Sequence, residues 1–352
     1  MPNPNFALNR NPNEKTPPDI RLECYIIRIK KRNARSESVE SYLPLDYIFS
    51  KKVVDEETGE EIRQPFGEIF GSFIGSFDNQ FKVYKGGRAV FLETGKVRFA
   101  SEQRLIYGIV EGGSTSLGGW VKKQQNDEEE ILVTRDHVKG EPYYFLLYLP
   151  EDSQTGILIF QSFSDRTASS EFRMAFQNFI AGPKFDGPRV IFLNYISPET
   201  AEKFKRNCTL EKVSITRFEV PTDKGSKIFK NQYRPTMSFN LELKVTGKYA
   251  LNELWQKATN YIDGEGQKAG EFFALEVLES LGFDDDSDVN FTTKYAGKQE
   301  TITTKNNFKF SPNYYDTDSK IVRDENHLPL FDSVDTYCKD FLNKVKTESG
   351  IT

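Results

Sequence analysis

The sequence is poor in residues that bind metals and build disulfides. Its two histidines, His137 and His327, are far apart, and neither has a second histidine or a cysteine pair at ligand spacing. A zinc centre is therefore not expected. The three cysteines, Cys24, Cys208 and Cys338, are odd in number and widely separated. That argues against a disulfide framework and fits a reducing compartment. No apolar run approaches the roughly 18 residues that a membrane-spanning helix needs. The opening, MPNPNFALNRNPNEKTPPD, has no apolar signal-peptide core. A basic excess is missing too. Lys and Arg number 47 against 52 Asp and Glu, a net charge of −5, so any contact with nucleic acid falls to local patches. These absences point to a cytoplasmic protein with no cofactor and no Cys/His metal centre.

Aromatic residues, by contrast, are plentiful: 29 Phe and 16 Tyr in 352 residues, enough for a substantial core and for two domains. The most hydrophobic stretch is YYFLLYLPEDSQTGILIFQSFSDRTASSEFRMAFQNFI, residues 143–180. Tyr143 to Leu149 reads as a buried strand bounded by Pro142 and Pro150. Glu151 to Gly156 reads as a turn and Gly156 to Phe163 as a second strand. A helix follows, capped by Ser169 or Ser170, with Phe172, Phe176, Phe179 and Ile180 on one face and Gly182-Pro183 as its stop.

Around this unit the chain reads as α+β. Residues 1–20 are polar, rich in Asn and Pro, and read as a flexible arm. Residues 21–246 read as a mostly antiparallel, β-rich domain. It begins with an alternating strand at Arg21 to Lys30 and continues through strands and glycine turns from Phe66 to Val110. Gly86-Gly87 and Thr94-Gly95 read as hairpin turns. From Tyr249 the spacing of Leu251, Leu254, Trp255, Ala258 and Tyr261 becomes helical. Residues 247–352 accordingly read as a smaller α+β domain, ending in a helix from about Ser333 to Lys346.

Several motifs carry chemistry. Residues 112–119, GGSTSLGG, form the richest glycine stretch, but they lack the spacing of a phosphate-binding loop with its lysine. They read as a flexible surface loop, the alternative being phosphate contact through their backbone N–H groups. The acidic runs Asp55 to Glu57, Asp127 to Glu130 and Asp284 to Asp288 read as solvated loops. The last of these lacks the glycine and distal glutamate of a calcium loop. Glu242-Leu243-Lys244 lies on an alternating strand. Metal-dependent nucleases use such an E-x-K step with an upstream aspartate, here Asp223, because carboxylates hold the metal and lysine steadies the attacking water. The plain alternative is a solvent face.

Two basic clusters stand out. One is Arg28, Lys30, Lys31, Arg32 and Arg35. The other spans Lys203 to Arg234 and includes Lys203, Lys205, Arg206, Lys212, Arg217, Lys224, Lys227, Lys230 and Arg234, nine cations against three carboxylates. Phe229 and Tyr233 lie among them. Clustered cations neutralise phosphates and release counterions, and interleaved aromatics stack on exposed bases. The alternative is a solvated face.

Residues 143–180, the opening YIIRIKKRNARSESVESYLPLDYIFS, and the later SFNLELKVTG, ITTKNNFKFSPNYY and HLPLF together resemble the RexA phage-exclusion family of lambdoid phages. The resemblance implies a cytoplasmic, bacterial abortive-infection sensor that binds DNA without sequence preference, dimerises, and signals to a membrane partner encoded nearby. The leading expectation is thus a non-enzymatic antiphage defence protein that contacts nucleic acid through the basic Lys203 to Arg234 region and acts with a partner. The others are a Mg-dependent nuclease and a protein-interaction subunit of a defence complex that docks through its acidic loops.

Overall fold

The computed structural model describes residues 18–34, 38–54, 59, 61–115, 119–123, 126–134, 137–163, 166–182, 185, 187–199, 209–217, 239–244, 257–260, 269–281, 283–285, 287–295, 298–303, 315–316 and 320–351. Its strands and helices, in chain order, are β1 (Ile20–Lys30), β2 (Tyr42–Leu43), α1 (Asp46–Phe49), β3 (Lys52–Val54), β4 (Glu61–Arg63), α2 (Glu68–Gly75), β5 (Lys82–Val83), β6 (Arg88–Ala100), β7 (Leu105–Thr115), β8 (Gly119–Lys123) and β9 (Asn126–Val133). There follow β10 (Val138–Tyr148), β11 (Gly156–Phe163), α3 (Ser169–Ile180), β12 (Arg189–Asn194), β13 (Thr209–Arg217), β14 (Phe239–Lys244), α4 (Ala269–Phe272), α5 (Leu275–Ser280), β15 (Asp288–Tyr295), β16 (Lys298–Thr303), β17 (Tyr315–Asp316) and α6 (Phe331–Ser349).

The chain forms two compact units, one of residues 1–195 and 313–352 and the other of residues 196–312. The break in periodicity near residue 246 therefore falls inside the second unit. The final helix returns to the first because its apolar stripe completes that core.

In the first unit a nine-stranded sheet runs β12-β1-β11-β10-β7-β6-β5, with β2 and β17 also pairing with β1. Every pairing in it is antiparallel. Together with its helices this makes an α+β architecture, β-rich in its N-terminal region. Helices cover both faces of the central strands, which is why β10 and β11 read as continuous apolar runs rather than alternating ones. All eight residues of β11 are buried.

On one face, Phe172 and Phe176 of α3 and Phe70 and Phe73 of α2 meet the strands. The Phe145–Phe172 and Phe73–Phe176 ring centres are both 5.2 Å apart. On the other face, α6 buries Val334, Cys338, Phe341, Leu342 and Val345. Removing such side chains from water contributes about 1.5–3 kcal/mol each before entropy is counted. The Tyr144 hydroxyl donates a 2.7 Å hydrogen bond to Asp335 and fixes the helix against β10. Gly350, at φ 67°, ends α6, and the Ile351 N–H donates to the Lys346 carbonyl.

In the second unit four antiparallel strands run β14-β13-β15-β16. Val213 and Ile215 lie opposite Phe291 and Val289, and all four are buried with Phe272 of α4 and Leu278 of α5.

Four local expectations are corrected. Between Phe66 and Val110, residues 68–75 are helix, not strand or turn: Ile69, Phe70, Phe73 and Ile74 are buried at helical spacing, and Gly71 meets nothing within 4 Å of an added Cβ. Residues 126–133, including the acidic Asp127 to Glu130, form β9, paired with β8 so that Lys122 faces Glu130. Thr94-Gly95 is not a hairpin turn but lies within β6, beside the register shift between Leu92 and Val97. Gly112 and Gly113 are not loop residues: they lie inside β7, where a Cβ on Gly113 would come 2.1 Å from the Lys139 carbonyl oxygen. Gly86-Gly87 does turn the chain between β5 and β6, with both residues at positive φ.

Candidate nucleic-acid interface

Alternation along β1 decides where its charges point. Residues of one parity share a face. Tyr25 lies edge-on to Phe192, 6.4 Å away, on the α3 side, where Phe192 also meets Phe176. Cys24 projects to the opposite side, within electrostatic reach of Cys338 on α6. Arg28 and Lys30 share the parity of Cys24 and end the strand on that side.

At this end of β1 the cations gather. The Arg28 guanidinium lies 5.2 Å from the centre of the Tyr42 ring of β2, and its Nε is buried without a hydrogen-bond partner. Lys30 is buried and stands directly opposite Arg189 of β12. Lys31 and Arg32 are exposed in the turn that follows, where Asn33 takes a left-handed conformation. The Lys31 N–H donates to the Ser41 carbonyl at 2.9 Å, which ties this turn to the segment leading into β2. The aliphatic stem of Arg32 lies beside Gly187, so the turn before β12 belongs to the same corner.

Five cations therefore share one corner, although Arg189 lies far from the others in the sequence. Like charges directly opposed across a ladder repel. No carboxylate is paired with Arg28, Lys31 or Arg189 among the described residues.

The charges at the other end of β1 are balanced internally. Arg21 pairs with Asp19 at 3.4 Å, Arg88 with Glu171 at 3.2 Å, and Arg166 with Glu141. Glu23 accepts from the Tyr25 hydroxyl at 2.6 Å and from Ser169. Arg173 covers the Tyr25 ring at 4.3 Å. Burial, and then the Glu23 charge, push the Tyr25 phenol far up.

The second basic cluster is described only in part. Lys203, Lys205, Arg206, Lys224, Lys227, Lys230 and Arg234 lie outside the described residues, as do Arg35 and Asp223. Of its two described members, Lys212 pairs with Glu242 and Arg217 with Asp284, each at 2.8 Å. The E-x-K strand is thus tied to its neighbour. Glu242 is exposed, and its carboxyl is held below the ordinary range by the hydrogen bond and charge of Lys212, with Lys244 adding less. No group of three or more His, Cys, Asp and Glu side chains is placed to hold a metal ion among the described residues.

Sequence reasoning missed Arg189 and Tyr42, because only strand pairing brings them to the cluster. No described helix is long and apolar enough to cross a membrane. Comparison of the chain with protein-family models, with curated proteins and with solved structures finds no match.

Proposed function

We propose that this protein binds nucleic acid through the corner formed by Arg28, Lys30, Lys31, Arg32 and Arg189, without reading base sequence. The observation that carries this reading is the opposition of Lys30 and Arg189 beside the Arg28 guanidinium. Cations gathered at the end of a sheet meet the phosphates of a polyanion, which releases its own counterions on binding. The Arg28 guanidinium, over the Tyr42 ring, offers a planar donor for a phosphate. The resemblance to the phage-exclusion family supports DNA as the polymer, and antiphage defence together with a partner protein as the setting.

The test is fluorescence anisotropy of labelled duplex and single-stranded DNA over a salt series. Binding that weakens steeply with salt, and weakens further when Lys31, Arg32 and Arg189 become Glu, supports the reading. Binding indifferent to those substitutions contradicts it. Loss of intact DNA only when Mg is present would instead favour a nuclease acting through Glu242 and Lys244.

A further inference from the structure

The first unit also carries a cleft lined by none of the five cations of the basic corner. Beside the end of β10 and the start of β7 the surface opens into a cleft of about 610 Å³, within the range of about 300–1,000 Å³ typical of small-molecule sites. Leu105, Tyr148 and Pro150 line it together with residues from the C-terminal half of α6.

Most charged groups at the cleft already have partners. Arg104 donates through Nε to the Leu149 carbonyl at 2.9 Å, bonds Asp46, and covers the Phe66 ring at 4.4 Å. Lys339 pairs with Asp335 at 2.8 Å and covers the Tyr107 ring at 4.2 Å. Glu151 pairs with Arg63. Lys346 differs. Its ammonium sits 4.3 Å from the centre of the Tyr148 ring, and no carboxylate is bonded to it among the described residues. The side-chain amides of Asn343 and Gln103 and the carboxylate of Glu102 complete the lining without hydrogen bonds among themselves.

We propose that this cleft binds a small organic anion. Its phosphate or carboxylate group takes the Lys346 ammonium, and its hydroxyl or amino donors face Glu102 and the two amides. The Tyr148 face keeps the ammonium in place, so less side-chain freedom is lost when the anion arrives. The helix end adds nothing to anion binding, since a C-terminus carries partial negative charge. Selectivity therefore rests on Lys346 and the amides.

The experiment is isothermal titration calorimetry of the full chain with adenosine monophosphate, citrate and inorganic phosphate as probes. Two variants accompany it: Lys346→Met, which keeps the stem on Tyr148 but removes the charge, and Asn343→Trp, which fills the cleft from an exposed helix position. Arg189→Glu is the control. Saturable binding of any probe that falls about tenfold or more in Lys346→Met, is lost in Asn343→Trp and persists in Arg189→Glu supports the proposal. A response to adenosine monophosphate without citrate identifies a phosphate ligand, and the reverse a carboxylate. If no probe binds at millimolar concentration, or if Lys346→Met binds as the parent does while retaining its thermal transition, the proposal is overturned.

Discussion

Lys30 and Arg189 stand directly opposite each other across the β1–β12 ladder, two cations where a stability-optimised sheet would place opposite charges. Arg189→Glu sets a carboxylate opposite Lys30 in place of a second cation. The account expects a gain of about 0.2–1 kcal/mol in unfolding free energy, read by urea denaturation, together with weaker DNA binding. A variant that loses stability and keeps its DNA affinity would show that the pair does not serve binding.

Arg28 lies one face-sharing position before Lys30 on β1. Its Nε is buried without a hydrogen-bond partner, so the side chain carries a desolvation cost in the free protein. Arg28→Met keeps most of the packing against Tyr42 and removes the orphaned donor. Its denaturation midpoint is expected to be no lower than that of the parent, while its affinity for duplex DNA falls. Parallel anisotropy and urea titrations separate the two effects.

The hydrogen bond from Tyr144 to Asp335 anchors α6 to the sheet. Tyr144→Phe leaves Asp335 with Lys339 as its remaining side-chain partner and is expected to cost about 1.5–3 kcal/mol. Amide exchange in α6 should rise in the variant, while DNA affinity stays unchanged, since the bond lies away from the basic corner.

Burial pushes the phenols of Tyr25, Tyr143 and Tyr144 well above the ordinary range, reinforced by Glu23, Glu141 and, for Tyr144, by Cys338 and Asp335. The folded state therefore holds these protons more tightly than the unfolded chain. The associated stability is fully present below a pH of about 10 and is lost as pH rises beyond it. Absorbance of tyrosinate near that pH should show a subset of tyrosines ionising only as the protein unfolds. Burial likewise raises the thiols of Cys24 and Cys338, which should resist thiol reagents until denaturation.

Two glycines provide opposite expectations. A Cβ at Gly113 would fall 2.1 Å from the Lys139 carbonyl oxygen, so Gly113→Ala should separate β7 from β10 and lower the thermal transition. Gly71 sits inside α2 with open space around it, and Gly71→Ala should stabilise by about 0.5–1 kcal/mol. Thermal denaturation of the two variants checks both signs.

How much of this was legible in the sequence depended on how each signal is written. The order of β10, β11 and α3 was plain from their apolar runs and the helical spacing of Phe172 and Phe176, but β10 runs through Pro142 rather than starting after it, and α3 begins after Ala168 with no serine side chain capping it. The α6 stripe was equally clear. The α2 helix was hidden because Gly67, Gly71 and Gly75 imitate turn punctuation around its phenylalanines. The β9 strand was hidden because its acidic run shows no apolar alternation, although its backbone pairs with β8 in a two-stranded sheet. At the candidate site, the run from Arg28 to Arg32 was visible as a cluster. Arg189 and Tyr42 were not, since antiparallel pairing, rather than sequence proximity, brings them there. The Lys346 cleft left no signal at all: its amides and its ammonium come from ordinary positions on a helix and a turn.

The salt dependence of duplex DNA binding, measured for the parent and for the triple variant Lys31→Glu, Arg32→Glu, Arg189→Glu, decides whether the basic corner of the first unit holds nucleic acid. The account predicts a linear fall of log affinity with log salt, and a slope smaller in magnitude by roughly 2–3 in the variant, since each lost phosphate contact removes about 0.9. Equal slopes and equal affinities in a folded variant would contradict it.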